Sequence, residues 1–341
     1  MTSPRYAASG VDLDAADEAR GRIGKLVAAT RTPLSAGAIG MFGGMVRLPG
    51  GMKRPVLVMS TDGVGTKVLV AEAAGRFDTV GEDLVNHSVN DILVHGARPI
   101  AFMDYVAGHR LPVAMIEGIV AGVARGCSAH GMALAGGETA QMPGVYPEGT
   151  FDLAGTIVGV VEEDAAIHGD AIVPGDILVA LASTGLHTNG YTLARSVLFD
   201  GMGLTLDDIV PGTTQRVADS LLAVHRSYAP AITPVLERVH GMAHITGGGI
   251  GGNLARVLPA GCDAVIDTRS WEWPALFTTI ARGGEIADIE MRDVFNLGIG
   301  MIVAAPAESV DAIVAAARAV SVPAWRCGTV TAGTGAVRFE S

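Results

Sequence analysis

The chain is poor in cysteine, with three in 341 residues. Cys127, Cys262 and Cys327 lie far apart and form no CxxC pair or other metal-ligand spacing, so they read as packed thiols, not as a disulfide scaffold or a zinc site. Basic charge is also scarce. With 24 Lys+Arg against 35 Asp+Glu and a net charge of -11, the balance argues against a general nucleic-acid surface, although it does not exclude a small basic pocket. The first residues lack the continuous apolar region of a secretory signal, and Gly, His, Asp and Glu interrupt every later run of the transmembrane kind. The expectation is a cytoplasmic protein with no membrane or nucleic-acid partner. Two phosphate signatures are missing as well: there is no GxxxxGKS or GxxxxGKT loop, and no full GxGxxG followed by an acidic ribose ligand.

What is present, at 49% hydrophobic, is enough chain for sizeable cores in two domains or in one extended one. Apolar runs predict strands at 55–60, 100–106, 132–135, 151–161, 177–182 and 298–305. Helical spacing predicts helices at 82–93, 112–130, 190–198, 219–225 and 271–280, while the Gly- and Ala-rich N-terminal segment is only weakly helical. A boundary near 165–175, just before or at the turn Pro174-Gly175-Asp176, divides the chain into 1–168 and 169–341. Mixed elements with no repeat period favour two α/β or α+β domains over a solenoid or a bundle.

Unusual residues gather at the ends of these elements. The strand at 55–60 runs into Asp62-Gly63, a sharp-turn signal, and then Gly65, Thr66 and Lys67. On the helix at 82–93, Glu82, Asn86 and Asn90 are four apart and share a face, with Asp91 one residue round; that face offers oxygen ligands or is an ordinary solvated side. After the strand at 132–135, Gly136 and Gly137 permit a tight path into Glu138 and Thr139, either as a site or as a structural turn with a solvated carboxylate. Asp62, Asp91 and Glu138 would repel one another if crowded, and Mg²⁺ completed by nucleotide phosphates is the simplest counter-charge. Lys67 would then serve phosphate, its plain alternative being a surface lysine. Farther on, HITGGGIGGNLARVLP places Gly247, Gly248 and Gly249 in an anion-binding turn before a helix opening near Asn253, or in a loop set by packing.

Taken in order, the segments YAASGVDLDAAD, GMFGGM, STDGVGTK, VNDILVHGARPIAFMDYVA, GGETAQMPGVY, STGLHTNGYTLAR, HITGGGIGGNLARVLP and EMRDVFNLGIGM resemble the phosphoribosylformylglycinamidine cyclo-ligase family over nearly the whole chain. The resemblance implies an aminoimidazole ribonucleotide synthetase-like fold: an N-terminal domain whose sheet joins its mate's in a barrel-like homodimer interface, and a C-terminal α/β domain closing over the active cleft. It implies ATP-dependent, Mg²⁺-assisted cyclisation of formylglycinamidine ribonucleotide to aminoimidazole ribonucleotide in purine synthesis. Residue by residue, it assigns Asp62, Asp91 and Glu138 to Mg²⁺–ATP and directs Lys67 toward phosphate. It extends the nucleotide group to Gly63, Gly65, Thr66, Asn90, Gly137, Thr139 and the Gly247–Gly249 run, with Gly43 and Gly44 as a covering turn. Lys25 either covers the nucleotide or lies on a mobile surface segment. His187 and Asn189 would recognise substrate or hold the developing ring, and Arg195 would meet a phosphate or an internal carboxylate.

One local departure stands out: NHSVNDI at 86–92 where the family often reads AMCVNDI, which puts Asn86 and His87 beside the proposed metal site. The alternatives are another ATP-dependent kinase or ligase of the same architecture, resembling thiamine-monophosphate kinase, selenophosphate synthetase or the formylglycinamidine ribonucleotide synthetase module, and a catalytically silent nucleotide-binding or hydrogenase-maturation-like interaction module. The HTNGYTLAR, HITGGGIGGN and EMRDVFNLGIGM segments favour the cyclo-ligase.

Overall fold

The computed structural model describes residues 13–38 and 40–341; residues 6–12 of YAASGVDLDAAD lie outside them. The chain forms two compact units, one holding the described residues up to Ile92 with Ala97–Asp164, the other Leu93–Gly96 with Ala165–Ser341. Both are mixed α/β, as the order of elements predicts.

In the first unit, α1 (Leu13–Ala29) precedes a short antiparallel ribbon, β1 (Ser35–Ala36) and β2 (Met45–Val46). Then come β3 (Pro55–Gly63), α2 (Lys67–Ala74), α3 (Asp78–Leu93), β4 (Arg98–Gly108), α4 (Val113–Ala129), β5 (Ala133–Gln141) and β6 (Phe151–Glu162). The sheet order is β3-β6-β4-β5, parallel only between β4 and β5. Leu84 and Phe102 pack over Gly155 on one face. The other face leaves Leu57, Met59, Met103 and Tyr105 exposed.

Three expectations change here. The strand at 55–60 continues through Asp62 and Gly63, because β6 pairs with it out to Gly63↔Ala154; the turn falls on Val64–Thr66, with Gly65 at φ 64°. The strand at 132–135 likewise runs through Gly136-Gly137-Glu138-Thr139, held by parallel pairing with β4 as far as Gly108↔Gln141. The weakly helical N-terminal segment is in fact the 17-residue α1. Tertiary contacts override its propensity: the Thr30 hydroxyl just beyond its end accepts the Leu134 N–H at 2.9 Å, and Arg22 reaches Glu117 of α4 at 3.0 Å.

The second unit contains β7 (Ile177–Ala182), α5 (Tyr191–Arg195) running into a π-helical turn at Ser196–Gly201, α6 (Val217–Leu221), α7 (Ala229–Ile232) and β8 (Gly241–His244). It continues with α8 (Gly249–Leu254), β9 (Cys262–Asp267), α9 (Ala275–Gly283), α10 (Asp288–Val294), β10 (Ile299–Ala305), α11 (Val310–Ala319), β11 (Ala324–Ala332) and β12 (Val337–Glu340). The sheet order β12-β9-β11-β7-β10-β8 is antiparallel except between β12 and β9. Leu178, Ala180, Ile266, Ile302 and Cys327 build its core.

The helix predicted at 219–225 stops at Leu221, which releases His225 into the following loop. The one predicted from Trp271 begins only after Pro274, whose missing N–H suits a helix start. The helix expected to open near Asn253 instead spans Gly249–Leu254, so Asn253 closes it. All three cysteines are buried thiols, and burial pushes Cys327 up to about 12. No helix among the described residues is long and apolar enough to cross a membrane.

Candidate active site

In the first unit, strand alternation turns Asp62 with Ser60 toward α3. Asp62 Oδ1 accepts the Gly63 N–H at 2.6 Å, and Oδ2 lies 2.7 Å from His87 Nε2. One helical turn beyond His87, Asp91 Oδ2 is 3.5 Å from the same nitrogen and accepts the Ser60 hydroxyl at 3.1 Å. Burial works against a charged His87, but the hydrogen bond to Asp62 and the charges of Asp91, Asp62 and Asp83 outweigh it and hold the imidazole above the ordinary histidine value. Two carboxylates thus converge on one imidazole nitrogen. A hard-oxygen pair of this kind fits Mg²⁺.

Asn90 is fully buried on the same helix. Glu138 falls elsewhere. The register aligns Asp62, Gly155, Asp104 and Gly137 in one row, and Gly63, Ala154, Tyr105 and Glu138 in the next, so alternation puts Glu138 on the face that carries Tyr105. Its Oε1 accepts the Thr139 N–H at 2.8 Å. Asp104, which the sequence did not single out, occupies the helix-side row; a Cβ on Gly137 would collide with its carboxylate, and burial pushes it up to about 6.

Lys67, expected to meet phosphate, points inward. It opens α2 on the face that also buries Val68, Val70 and Ala71, and its Nζ pairs with Asp83 Oδ2 at 2.7 Å with both side chains fully buried. Burial lowers the lysine's pKa against the pull of Asp83. Here Lys67 anchors the turn bearing Gly65 and Thr66. Gly44 lies against β5, where a Cβ would collide with the Ala135 carbonyl, while Gly43 and Lys25 are exposed.

In the second unit, β7 delivers the turn His187-Thr188-Asn189 before α5. His187 adopts φ 61°, and its Nε2 accepts the Thr184 N–H at 3.2 Å, which leaves the ring proton on Nδ1. Asn189 reaches the glycine run: its Oδ1 lies 3.4 Å from where a Cβ on Gly247 would stand. Its Nδ2 is buried and donates to no acceptor among the described residues. Asn253 ties the run together, its Nδ2 donating to the Gly247 carbonyl at 3.1 Å and the Gly249 carbonyl at 2.8 Å. The three glycines differ. Gly249 is fixed by packing, because a Cβ would collide with the Arg292 carbonyl; a Cβ on Gly248 would meet only Gly252 Cα at 3.8 Å, but its φ is 91°; Gly247 faces Asn189. Arg195 is half-buried in the last turn of α5.

Asn296 explains why EMRDVFNLGIGM accompanies STGLHTN. Its amide donates to the Gly185 carbonyl at 2.9 Å, and its Oδ1 accepts the Ser183 hydroxyl at 3.1 Å, pinning the base of the His187 turn. His225, buried in the loop after α6, stacks on His187 with ring centroids 3.9 Å apart. No local spacing marked Asp83, Asp104 or His225, since each gains its meaning from a partner distant in sequence.

Comparison with known proteins places these halves in one family. Residues 43–161 match the family described as AIR synthase related protein, N-terminal domain, and residues 173–340 match its C-terminal domain. A phosphoribosylformylglycinamidine cyclo-ligase of Sorangium cellulosum is 46% identical over 342 residues, covering 99% of this chain and 98% of the relative. One of Geotalea daltonii is 48% identical over 311 residues, 90% of this chain and 89% of the relative. Among solved structures, thiamine-monophosphate kinase of Stenotrophomonas maltophilia superposes with TM-score 0.68 at 19% identity, over 95% of each chain. Hydrogenase maturation protein HypE does so with TM-score 0.65 at 21%, over 92% of each. At such identities these two speak for the fold alone. The sequence relatives say more: matched in both halves and along nearly its full length, the chain belongs to the phosphoribosylformylglycinamidine cyclo-ligase family.

Proposed function

We propose that the protein converts formylglycinamidine ribonucleotide and ATP to aminoimidazole ribonucleotide, ADP and phosphate in purine synthesis. The observation that carries this reading is the 46% identity across 99% of the chain to a protein bearing that activity's name. In the reaction, the substrate's formamide oxygen attacks the ATP γ-phosphorus and ADP departs. A substrate amidine nitrogen then attacks the activated carbon, and the C–O bond breaks with phosphate as leaving group. The nucleophile belongs to the substrate, so the protein contributes approximation and charge placement.

Asn189 supplies a donor for orienting the substrate, since its Nδ2 has no acceptor among the described residues and can meet a substrate oxygen. His187 stands in the same turn, its Nε2 accepting the Thr184 N–H at 3.2 Å, and would recognise substrate or hold the developing ring beside Asn189. Asp62 and Asp91 would hold Mg²⁺, which when bound neutralises phosphate charge. Glu138, Thr139, Gly43 and Gly44 belong to the nucleotide side in this proposal, and Glu138 is not a partner of the Asp62–Asp91 pair. Residues 1–168 carry nucleotide and assembly roles; 169–341 carry substrate orientation.

The exposed Leu57, Met59, Met103 and Tyr105 face supports a homodimer in which a second copy covers the sheet. Sedimentation across a dilution series tests this; a monomer that retains full activity overturns it. Incubation with ATP, Mg²⁺ and formylglycinamidine ribonucleotide tests the reaction. One aminoimidazole ribonucleotide per ADP supports it, and nucleotide binding without product overturns it.

A further inference from the structure

His187, His225 and His244 bring three imidazoles together inside the second unit. All are buried, and one ring nitrogen of each lies within 4.8 Å of the other two. The tightest approach joins His225 Nε2 to His244 Nε2 at 3.0 Å, with the rings inclined at 60°. The other nitrogen of His225 faces Thr188 Oγ1 at 3.3 Å. We infer that His225 and His244, with His187 as third donor, form a binding site for a late first-row divalent ion of the Zn²⁺ or Co²⁺ class.

The chemistry of the donors favours this class over Mg²⁺, because imidazole nitrogen suits zinc, cobalt and nickel, whereas Mg²⁺ demands oxygen. In a tetrahedral zinc site with nitrogen arms of about 2.0–2.1 Å, neighbouring ligand atoms stand about 3.3 Å apart. The two Nε2 atoms at 3.0 Å need open only a few tenths of an ångström. Thr188 fulfils the supporting role that metal-bound histidines require: accepting the His225 Nδ1–H commits the Nε2 lone pair to the ion. His244 binds through Nε2 once its ring proton moves to Nδ1.

His187 presently stacks on His225 at 22°, a geometry in which one ion cannot lie in both ring planes. Coordination therefore requires the His187 ring to rotate off the stack and exchange its Thr184 contact for the metal. Occupancy would tie the turn bearing Asn189 to the end of β8. This inference does not depend on the proposed reaction.

Untagged full-length protein, stripped with a chelator, is titrated with Co²⁺ in buffer containing excess Mg²⁺. The expected result is one Co²⁺ per chain with the visible bands of nitrogen coordination, displaced stoichiometrically by Zn²⁺. His225→Phe should weaken binding at least about a hundredfold by removing a ligand, and Thr188→Val about tenfold to a hundredfold by removing its support. Thr188→Val keeps the test decisive should His225→Phe fail to fold. Absence of the bands in the parent, or parental Co²⁺ affinity in either folded variant, overturns the site.

Discussion

The two units handle polarity in opposite ways. The first buries charge: Lys67 against Asp83, His87 between Asp62 and Asp91, and Asp104 in the sheet. The second unit's site gathers an amide, a hydroxyl and three imidazoles, on Asn189, Thr188, His187, His225 and His244, around glycine turns. Buried charge is costly unless balanced, whereas amide and hydroxyl groups chiefly set direction. The contrast suits a division in which one half manages anionic phosphate and the other orients an uncharged reacting group.

The largest test of this contrast strikes the Lys67–Asp83 pair. Lys67→Met leaves Asp83 buried without its partner and should cost about 3–5 kcal/mol, measured by denaturant unfolding. Lys67→Met with Asp83→Leu should recover most of that loss, because replacing both members of a buried pair is often neutral. A single variant with parental stability would show that the first unit does not depend on balanced buried charge.

Asp62→Asn and Asp91→Ala come next. Each removes an oxygen from the pair that fits Mg²⁺, and each should lower Mg²⁺–ATP-dependent turnover by about 10²–10³-fold with the circular dichroism spectrum unchanged. Glu138→Ala should keep the parental Mg²⁺ dependence and weaken nucleotide use alone. If Glu138→Ala raises the Mg²⁺ requirement as Asp91→Ala does, the three carboxylates act together after all and the separation drawn from the strand register fails.

That separation also shows how much was legible beforehand. Apolar runs located β7 and β10 almost to the residue, because a central strand needs a continuous buried sequence. The same rule stopped two strands early: Asp62 and the GGET segment read as turns, since pairing with β6 and β4 is a long-range fact that no local window contains. Asp62, Asp91, His187 and Asn189 stood out through their motifs. Lys67 stood out too, yet its inward direction depends on Asp83, which nothing nearby announces.

A pH experiment sharpens the same point. Burial raises Asp104 to about 6, so the native state holds a proton that the unfolded chain releases near the ordinary carboxylate value. Stability is therefore fully present below about pH 4 and falls as pH rises through about 6, by on the order of 3 kcal/mol for this group. His87, also raised, adds loss in the same direction, so parent and variant must be compared directly. Asp104→Asn should flatten the decline between pH 4 and 7 by that amount. Equal slopes in parent and variant would mean that Asp104 is solvated or partnered in solution.

The smallest expected effect belongs to the second unit and carries the opposite sign. Asn189 Nδ2 is buried with no acceptor among the described residues, a state that costs about 1–3 kcal/mol in desolvation without return. Asn189→Leu removes the polar atoms at similar volume and should raise stability by about 1 kcal/mol, read as a higher denaturation midpoint at unchanged slope. If the amide instead serves substrate, turnover should fall by tens-fold while nucleotide binding stays parental, because the donor lies on the half that orients and not on the half that balances charge. Stabilisation accompanied by lost turnover is the signature of a group held unsatisfied for a ligand. Stabilisation with parental turnover would make Asn189 a packing defect beside Gly247 and would move substrate orientation to His187.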